Sequence, residues 1–331
     1  SITPSTNPSE TVLCNSIGMI AGGNTVVFNP HPAAVKVSNF AVSLVNQASK
    51  EAGGPAVVAA SVVKPTMDSS KIMLSHKDIN LIVATGGPGV VTTVLSSGKR
   101  GIGAGAGNPP VLVDDTADIA KAARDIVNGC TFDNNLPCIA EKEVVAFDSI
   151  ADELIYHMIE ENGCYMASKE EQEKLIATVF GPKGLNRKCV GRDAKTLLGM
   201  IGVKAPEGTR CIIFEGEKEH RLIAEELMMP ILGIVRCKDI DDGIEKALWL
   251  EHGNRHSAHM HSKNVENLTK YGKALDTAIF VKNAPSYAAL GFGGEGFCTF
   301  TIASRTGEGL TSASTFTKKR RCVMADSLCI R

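Results

Sequence analysis

The segment INLIVATGG, residues 79–87, is apolar at nearly every position from Ile79 to Ala84, and this restricts the fold more than any other stretch. A strand with one wet face alternates polar and apolar residues. A continuous apolar run belongs to a central parallel strand covered on both faces. Parallel neighbours need long crossovers, usually helical, so the flanking residues should read as βαβ units. They do. NTVVFNP at 24–30 reads as a strand stopped by Pro30, and PAVVAASVV at 55–63 as another. Between them, 33–53 reads as a helix with Val37, Phe40, Ala41, Leu44, Val45 and Ala48 on one face and Gly53 past its end. An earlier helix carries Leu13, Ile17 and Ile20 and stops at Gly22 and Gly23. The expected class is α/β, with a nucleotide-type cofactor at the carboxyl ends of the strands.

GIGAGAGNPP at 101–110 looks like a dinucleotide fingerprint but fails its structural condition. Asn108, Pro109 and Pro110 lead into the strand VLVDD, where the fingerprint requires a helix to receive the pyrophosphate. TGGPGVV at 85–91 is the better place for backbone approach, since it follows the buried strand and opens a helix. By itself it is a weak signal that fits an ordinary strand-to-helix turn better than a ligand contact.

A second α/β region begins near 111. TADIAKAARDIVNG at 116–129 reads as a helix with Asp115 or Thr116 as N-cap, Ile119, Ala123 and Ile126 inward and Gly129 as terminator. TFDNNLPCIAEKEVV at 131–145 follows. Pro137 forbids a regular helix up to Cys138, so the cysteine should sit on a turn before a strand containing Val144, Val145 and Phe147. A cysteine aimed from such a junction has the setting of a nucleophile. It is also one of ten cysteines, and free cysteine often serves as a small buried hydrophobe. The local residues leave both readings open. Helices are expected at 151–163, 168–180, 239–251 and 263–274, and strands at 209–216, 231–237, 257–262 and 277–283.

With 35 basic and 36 acidic residues, the chain lacks a global field for nucleic acid or an anionic membrane. The short run TKKRR at 317–321 reads as a solvated edge. No apolar segment approaches the roughly 20 residues needed to span a bilayer, and residues 1–12 do not read as a secretory signal. The cysteines contain no CxxC pair, which argues for free thiols in a reducing compartment and against a zinc ribbon. His252, His256, His259 and His261 form the one cluster that raises the question of a metal. They lack a third ligand at usual spacing, so no metal is assigned. The default location is cytoplasmic.

Six stretches together resemble the aldehyde dehydrogenase superfamily, and within it the CoA-acylating acetaldehyde and propionaldehyde dehydrogenases of bacterial microcompartments. They are TPSTNPSET at 3–11, VVFNPHPAA at 26–34, GAGAGNPPVLVDDTADI at 103–119, the Cys138 stretch at 131–145, LMMPILGIVR at 227–236 and TGEGLTSASTFTKKRRCVM at 306–324. The resemblance implies a Rossmann-like domain binding NAD and coenzyme A over 1–110. It further implies a catalytic domain over 111–305 and a β-rich oligomerisation segment over 306–331 that adds to a sheet edge. Homo-oligomers, dimeric or tetrameric, are expected, with shell or lumen proteins of a microcompartment as further partners. Family members carry a substantial segment before TPSTNP with no counterpart here, so a truncated chain is expected, one that a targeting peptide could have preceded.

The same resemblance makes Cys138 the nucleophile, with its own N–H and the Asn7 side chain holding the oxyanion. It maps the cofactor cleft onto Asn29, Pro30, His31 and Pro32, onto Thr85, Gly86, Gly87 and Val90, and onto Gly105, Glu226 and Leu227. Glu226 matches the glutamate that holds the nicotinamide ribose. Asn29 stands where hydrolytic relatives carry a lysine. At Ala104, hydrolytic relatives carry the glutamate that activates water, whereas here no carboxylate occurs from Gly101 to Val113. Losing a general base costs about 10²–10⁴-fold, so the thioester should await a thiol, coenzyme A, in a ping-pong cycle. Alternatives are a base displaced to Glu141, Glu143 or Glu225, a hydrolytic dehydrogenase releasing free acid, or a non-catalytic assembly subunit. Residues 285–304 should supply pocket walls, with Tyr287, Phe292, Phe297 or Cys298 facing the aldehyde.

Overall fold

The computed structural model describes residues 1–182 and 184–326. In chain order the first region comprises β1 (Ile2–Thr3), α1 (Pro8–Ala21), β2 (Val26–Pro30), α2 (Val35–Glu51), β3 (Ala59–Ser61) and α3 (Met67–Ser75). It closes with β4 (Leu81–Thr85), α4 (Pro88–Leu95) and β5 (Arg100–Ala104). These strands form one parallel sheet in the order β3-β2-β1-β4-β5. The order reverses between β1 and β4, which opens a crevice beyond their carboxyl ends. Asn7 lies just after β1 and Gly86 just after β4.

The second region follows with β6 (Pro110–Val113), α5 (Ile119–Thr131), β7 (Glu143–Phe147), α6 (Asp148–Glu160), β8 (Cys164–Met166) and α7 (Lys169–Val179). A small antiparallel ribbon, β9 (Phe180–Gly181) and β10 (Gly184–Leu185), precedes α8 (Ala194–Met200), β11 (Cys211–Glu215) and α9 (Arg221–Ala224). The region ends in β12 (Ile231–Cys237), α10 (Ile240–Glu251), β13 (Ser257–His261), α11 (Val265–Leu275) and β14 (Ile279–Lys282). Its parallel sheet has the order β14-β13-β6-β7-β12-β11-β8. β7 is buried at every position, and Val144, Val145, Ile212, Leu232 and Ile234 sit at the centre of the largest core. The chain is α/β throughout, as the apolar run at 79–84 required.

Several local expectations change. β1 is the central strand of the first sheet, although its residues read as part of a polar opening. β5 is also a strand: Cβ atoms added at Gly101 and Gly103 would stand 2.9 and 2.6 Å from Val94 and Val91, so its bare backbone lets α4 approach closely. On α1 the inward residues are Val12, Asn15, Ser16 and Met19, while Ile17 is 70% exposed. Asn15 is drawn inward by a reciprocal pair with Thr301, at 3.0 and 3.1 Å. On α2 the buried positions are Ser38, Ala41 and Val42, and Val37, Phe40 and Leu44 are exposed. Asp118, not Asp115 or Thr116, caps α5, its side chain accepting Lys121 N–H at 3.1 Å. Gly129 lies inside that helix instead of ending it.

The β-rich tail is corrected. Among the described residues beyond 305 there is a 3₁₀ turn, Ala313–Phe316, and no strand. That turn packs against α1, where Phe316 is buried and a Cβ at Gly18 would lie 2.8 Å from its ring. Asn24 Nδ2 donates to Phe316 O at 3.1 Å, and Arg100 Nη2 to Thr315 O at 2.8 Å. The tail up to Thr317 is therefore stitched onto the first sheet's own helix. Cys329 lies outside the described residues.

Candidate active site

Cys138 sits on a turn immediately before β7, at the amino edge of the second sheet and against the carboxyl edge of the first. The contact between edges is tight. A Cβ at Gly107, in the loop after β5, would be 3.0 Å from Cys138 O and 2.8 Å from the His256 ring. Only a glycine admits this approach.

The turn is built from strained, well-partnered pieces. Asp133, Asn134 and Asn135 have φ of 47°, 49° and 66°, a left-handed run that favours Asn and Asp. Asn135, buried, donates to Cys130 O and Glu141 O, both at 2.9 Å. Lys142 Nζ, also buried, donates to Asn135 Oδ1 at 2.5 Å and Asn135 O at 3.0 Å. Its backbone N–H reaches Pro109 O at 3.3 Å, tying the loop after β5 to the cysteine turn. A buried ammonium without carbonyl partners would be costly, so Lys142 and this turn specify each other.

Burial, reinforced by the Glu226 carboxylate, pushes the Cys138 thiol up to about 12, opposed by Lys142 and the N–H groups of Cys138 and Ile139. Those two N–H groups point at the sulfur. Lys142 Nζ lies 4.0 Å from Glu226 Oε1, and burial also raises Glu226. Glu225, one residue earlier, faces outward in an ion pair with Arg221 at 2.7 Å. Glu141 accepts Ser286 N–H at 2.7 Å and burial pushes it up to about 8; Glu143 is raised well above the usual range, again by burial. Among carboxylates, only Glu226 registers on the thiol.

The residues assigned by resemblance take the following places. Asn7 is buried at the start of α1, its Oδ1 accepting Thr6 Oγ1 at 3.1 Å. Burial raises the Asp133 carboxyl and Glu10, in the first turn of α1, adds to it, so this helix end faces the cysteine turn. Asn29 Nδ2 donates to Ser70 Oγ at 2.7 Å, bracing β2 against α3. Pro30 ends β2, His31 Nδ1 accepts Ala33 N–H at 3.2 Å, and Pro32 opens a short 3₁₀ turn beside a cavity of about 540 Å³ containing Lys36 and Lys64. Gly86 N–H donates to Ala104 O at 3.0 Å, and Thr85 Oγ1 lies 3.1 Å from Thr301 Oγ1. Gly87 caps α4, and a Cβ there would meet nothing within 4 Å, so the turn offers bare backbone at a helix N-terminus. Val90 is 38% exposed on α4 and Gly105 lies beside Val91. Leu227 is buried in the core of the second sheet.

The sequence reading weighed the histidines for metal alone and missed His256. Its ring is buried beside the cysteine turn, Nδ1 lies 2.8 Å from Ser257 Oγ, and Nε2 has no protein partner. Burial, with Lys142 and His259, pushes it down to about 3, so the imidazole is neutral. No local signal marks it, because the packing at Gly107 brings it in from β13. Among the described residues no three potential ligands converge on a metal site, and no helix is long and apolar enough to cross a membrane.

A switch-point crevice facing a cysteine on a turn with inward N–H groups defines a nucleophilic-thiol enzyme built around a dinucleotide fold. The chain belongs to the aldehyde dehydrogenase family, whose model matches residues 1–310. Among curated proteins it is 46% identical, over 99% of this chain and 71% of that protein, to an acetaldehyde dehydrogenase (acetylating) of Escherichia coli. A propionaldehyde dehydrogenase from the fucose utilisation bacterial microcompartment of Clostridium phytofermentans superposes with a TM-score of 0.97 at 78% identity, covering 100% of this chain and 76% of that one. A propionaldehyde dehydrogenase of Rhodopseudomonas palustris, solved with bound CoA and an acylated cysteine, gives 0.93 at 53% identity, over 98% and 74% of the two chains.

Proposed function

We propose that this chain is an NAD-dependent, CoA-acylating dehydrogenase that oxidises a short aliphatic aldehyde, acetaldehyde or propionaldehyde, to the acyl-CoA, reversibly. The observation that carries it is the loop after β5: it lies against Cys138 O at Gly107, yet no carboxylate occurs from Gly101 to Val113. A captured acyl group therefore meets no ionised base for water there.

The Cys138 thiolate adds to the aldehyde carbonyl, forming the C–S bond and an alkoxide held by the N–H groups of Cys138 and Ile139 and by the Asn7 side chain. NAD, when bound there, would supply the hydride acceptor for the alkoxide carbon and, while oxidised, a positive charge that favours the thiolate. The bare turn at Gly86 and Gly87, the segment Asn29–Pro32 and Glu226 suit its phosphates, adenosine and ribose. The CoA sulfur then attacks the thioester, and Cys138 leaves as thiolate. His256 stays neutral, and its unpaired Nε2 offers the incoming thiol a hydrogen-bond acceptor. Subunits assemble as dimers or tetramers, and the place of work is the cytoplasm or a microcompartment lumen. That location rests on the likeness to the Clostridium phytofermentans enzyme.

The test is an assay for acyl-CoA and free acid from acetaldehyde and propionaldehyde. Acyl-CoA formation with NADH release dependent on CoA supports the reading. Equal steady-state rates without CoA, with free acid as product, would make the enzyme hydrolytic.

A further inference from the structure

The carboxylate of Glu141 has no place in the chemistry above, yet it is fully buried three residues past the nucleophile. Its Oε1 accepts Ser286 N–H at 2.7 Å, and its Oε2 has no protein partner. Room for it is made by Gly129 of α5, where a Cβ would stand 2.0 Å from Oε2. Its main chain is fixed too, through Asn135 Nδ2 donating to Glu141 O at 2.9 Å. Ser286 opens a 3₁₀ turn, Ser286–Leu290, that packs against the nucleophile: Cys138 and Leu290 flank the same small core as Ala288 and Ala289. The next residue, Tyr287, packs with its ring tilted against Phe132, at the start of the cysteine turn, and edge-on to Phe292, each at a centroid distance of 5.3 Å. One buried carboxylate thus joins the nucleophile's turn to the aromatic turn beside it.

We infer that Glu141 is a positioning residue which, through Ser286 N–H, sets the distance between the Tyr287 turn and Cys138 and thereby the chain length of aldehyde accepted. The inference rests on the proposed oxidation of an aldehyde at Cys138. A surface carboxylate could not do this, because water would compete for Ser286 N–H. At this buried position the backbone donor depends on Glu141, and loss of that acceptor frees the turn to move. Misplacement by about 1 Å near a reacting centre is worth up to about 10²-fold in rate, and one methylene in a pocket about 10–200-fold in selectivity.

The experiment compares kcat/KM for acetaldehyde, propionaldehyde and butyraldehyde, with KM for NAD, in the wild type, Glu141→Ala, Glu141→Gln and Ser286→Pro. Pro285 has ψ of 153°, an extended conformation compatible with a following proline, so Ser286→Pro removes the donor from the other side. Glu141→Ala and Ser286→Pro are expected to change the propionaldehyde-to-acetaldehyde ratio by about 5-fold or more. KM for NAD should stay within about 2-fold, and Glu141→Gln, which keeps an acceptor, should restore the ratio. If Glu141→Ala fails to fold, Ser286→Pro decides alone. An equal loss for every aldehyde, or a glutamine variant behaving as alanine does, overturns the inference. Absence of CoA-dependent NADH formation in the wild type would instead refute the proposed function, so the two failures are distinguishable.

Discussion

Lys142 Nζ stands 4.0 Å from Glu226 Oε1, and the two charges act on the Cys138 thiol with opposite sign. Glu226 disfavours the thiolate and Lys142 favours it. Glu226→Gln should therefore move the thiol down from about 12. The check is the pH dependence of alkylation by iodoacetamide, whose midpoint should shift to lower pH. An unmoved midpoint would show that the carboxylate does not act on the sulfur.

Lys142→Met should do the reverse and more. Removing the positive charge pushes the thiol further up, and removing the ammonium strips Asn135 of its partners at 2.5 and 3.0 Å. The left-handed run at Asp133, Asn134 and Asn135 is held against its own strain, so the turn should loosen. kcat should fall at least about tenfold, with a higher alkylation midpoint and a lower Tm. A lower Tm with an unchanged midpoint would leave Lys142 only a structural part.

What could be read in the sequence divides along a physical line. The apolar run of β4, the proline before Cys138 and the proline pair after Asn108 act through local sterics and burial, and each predicted its element correctly. β1 could not be read, because two residues, Ile2 and Thr3, become a central strand only through pairing with Asn29, Pro30 and Ala84. The inward face of α1 could not be read, because Asn15 is buried by a partner, Thr301, far along the chain. His256 and Lys142 entered the site for the same reason: a packed crossing of two sheet edges brings them there. The tail's strand expectation came from family likeness and yielded to a 3₁₀ turn anchored by Phe316.

Gly129→Ala sets helix propensity against packing. Alanine in a helix interior gains about 1 kcal/mol over glycine. Here the new methyl group would lie 2.0 Å from Glu141 Oε2, and that carboxylate is buried and held by Ser286 N–H. Overpacking costs about 1–3 kcal/mol, so a net loss of stability is expected in urea denaturation. Adding Glu141→Ala should recover part of it, since the two changes share one space. Simple additivity would show that the clash is relieved elsewhere.

Phe316→Ala tests whether the tail is part of the first domain's core. The ring is 4% exposed against Gly18 of α1, and truncating a buried phenylalanine costs about 3–5 kcal/mol. Hydrogen exchange should accelerate in α1 and at Thr315 to Thr317, where Arg100 and Asn24 hold the turn. Unchanged exchange there would mean the tail is docked by its hydrogen bonds alone.

The absence of a carboxylate from Gly101 to Val113, the loop that lies against Cys138, makes a kinetic prediction that does not depend on naming the aldehyde. With NAD and aldehyde but no CoA, the enzyme should release about one NADH per Cys138 and then slow, because the thioester lacks a general base worth about 10²–10⁴-fold in deacylation. Adding CoA should restart turnover, with acyl-CoA as product. Cys138→Ala should abolish both burst and turnover, since no other thiol occupies the turn, while the loss of one half-buried sulfur should leave Tm nearly unchanged. A linear time course from the first turnover, without CoA, would mean that water reaches the thioester through a base other than Glu141, Glu143 or Glu225. The candidate would then be Glu226, the one carboxylate that the thiol senses. Glu226→Gln would have to convert that linear course into a burst.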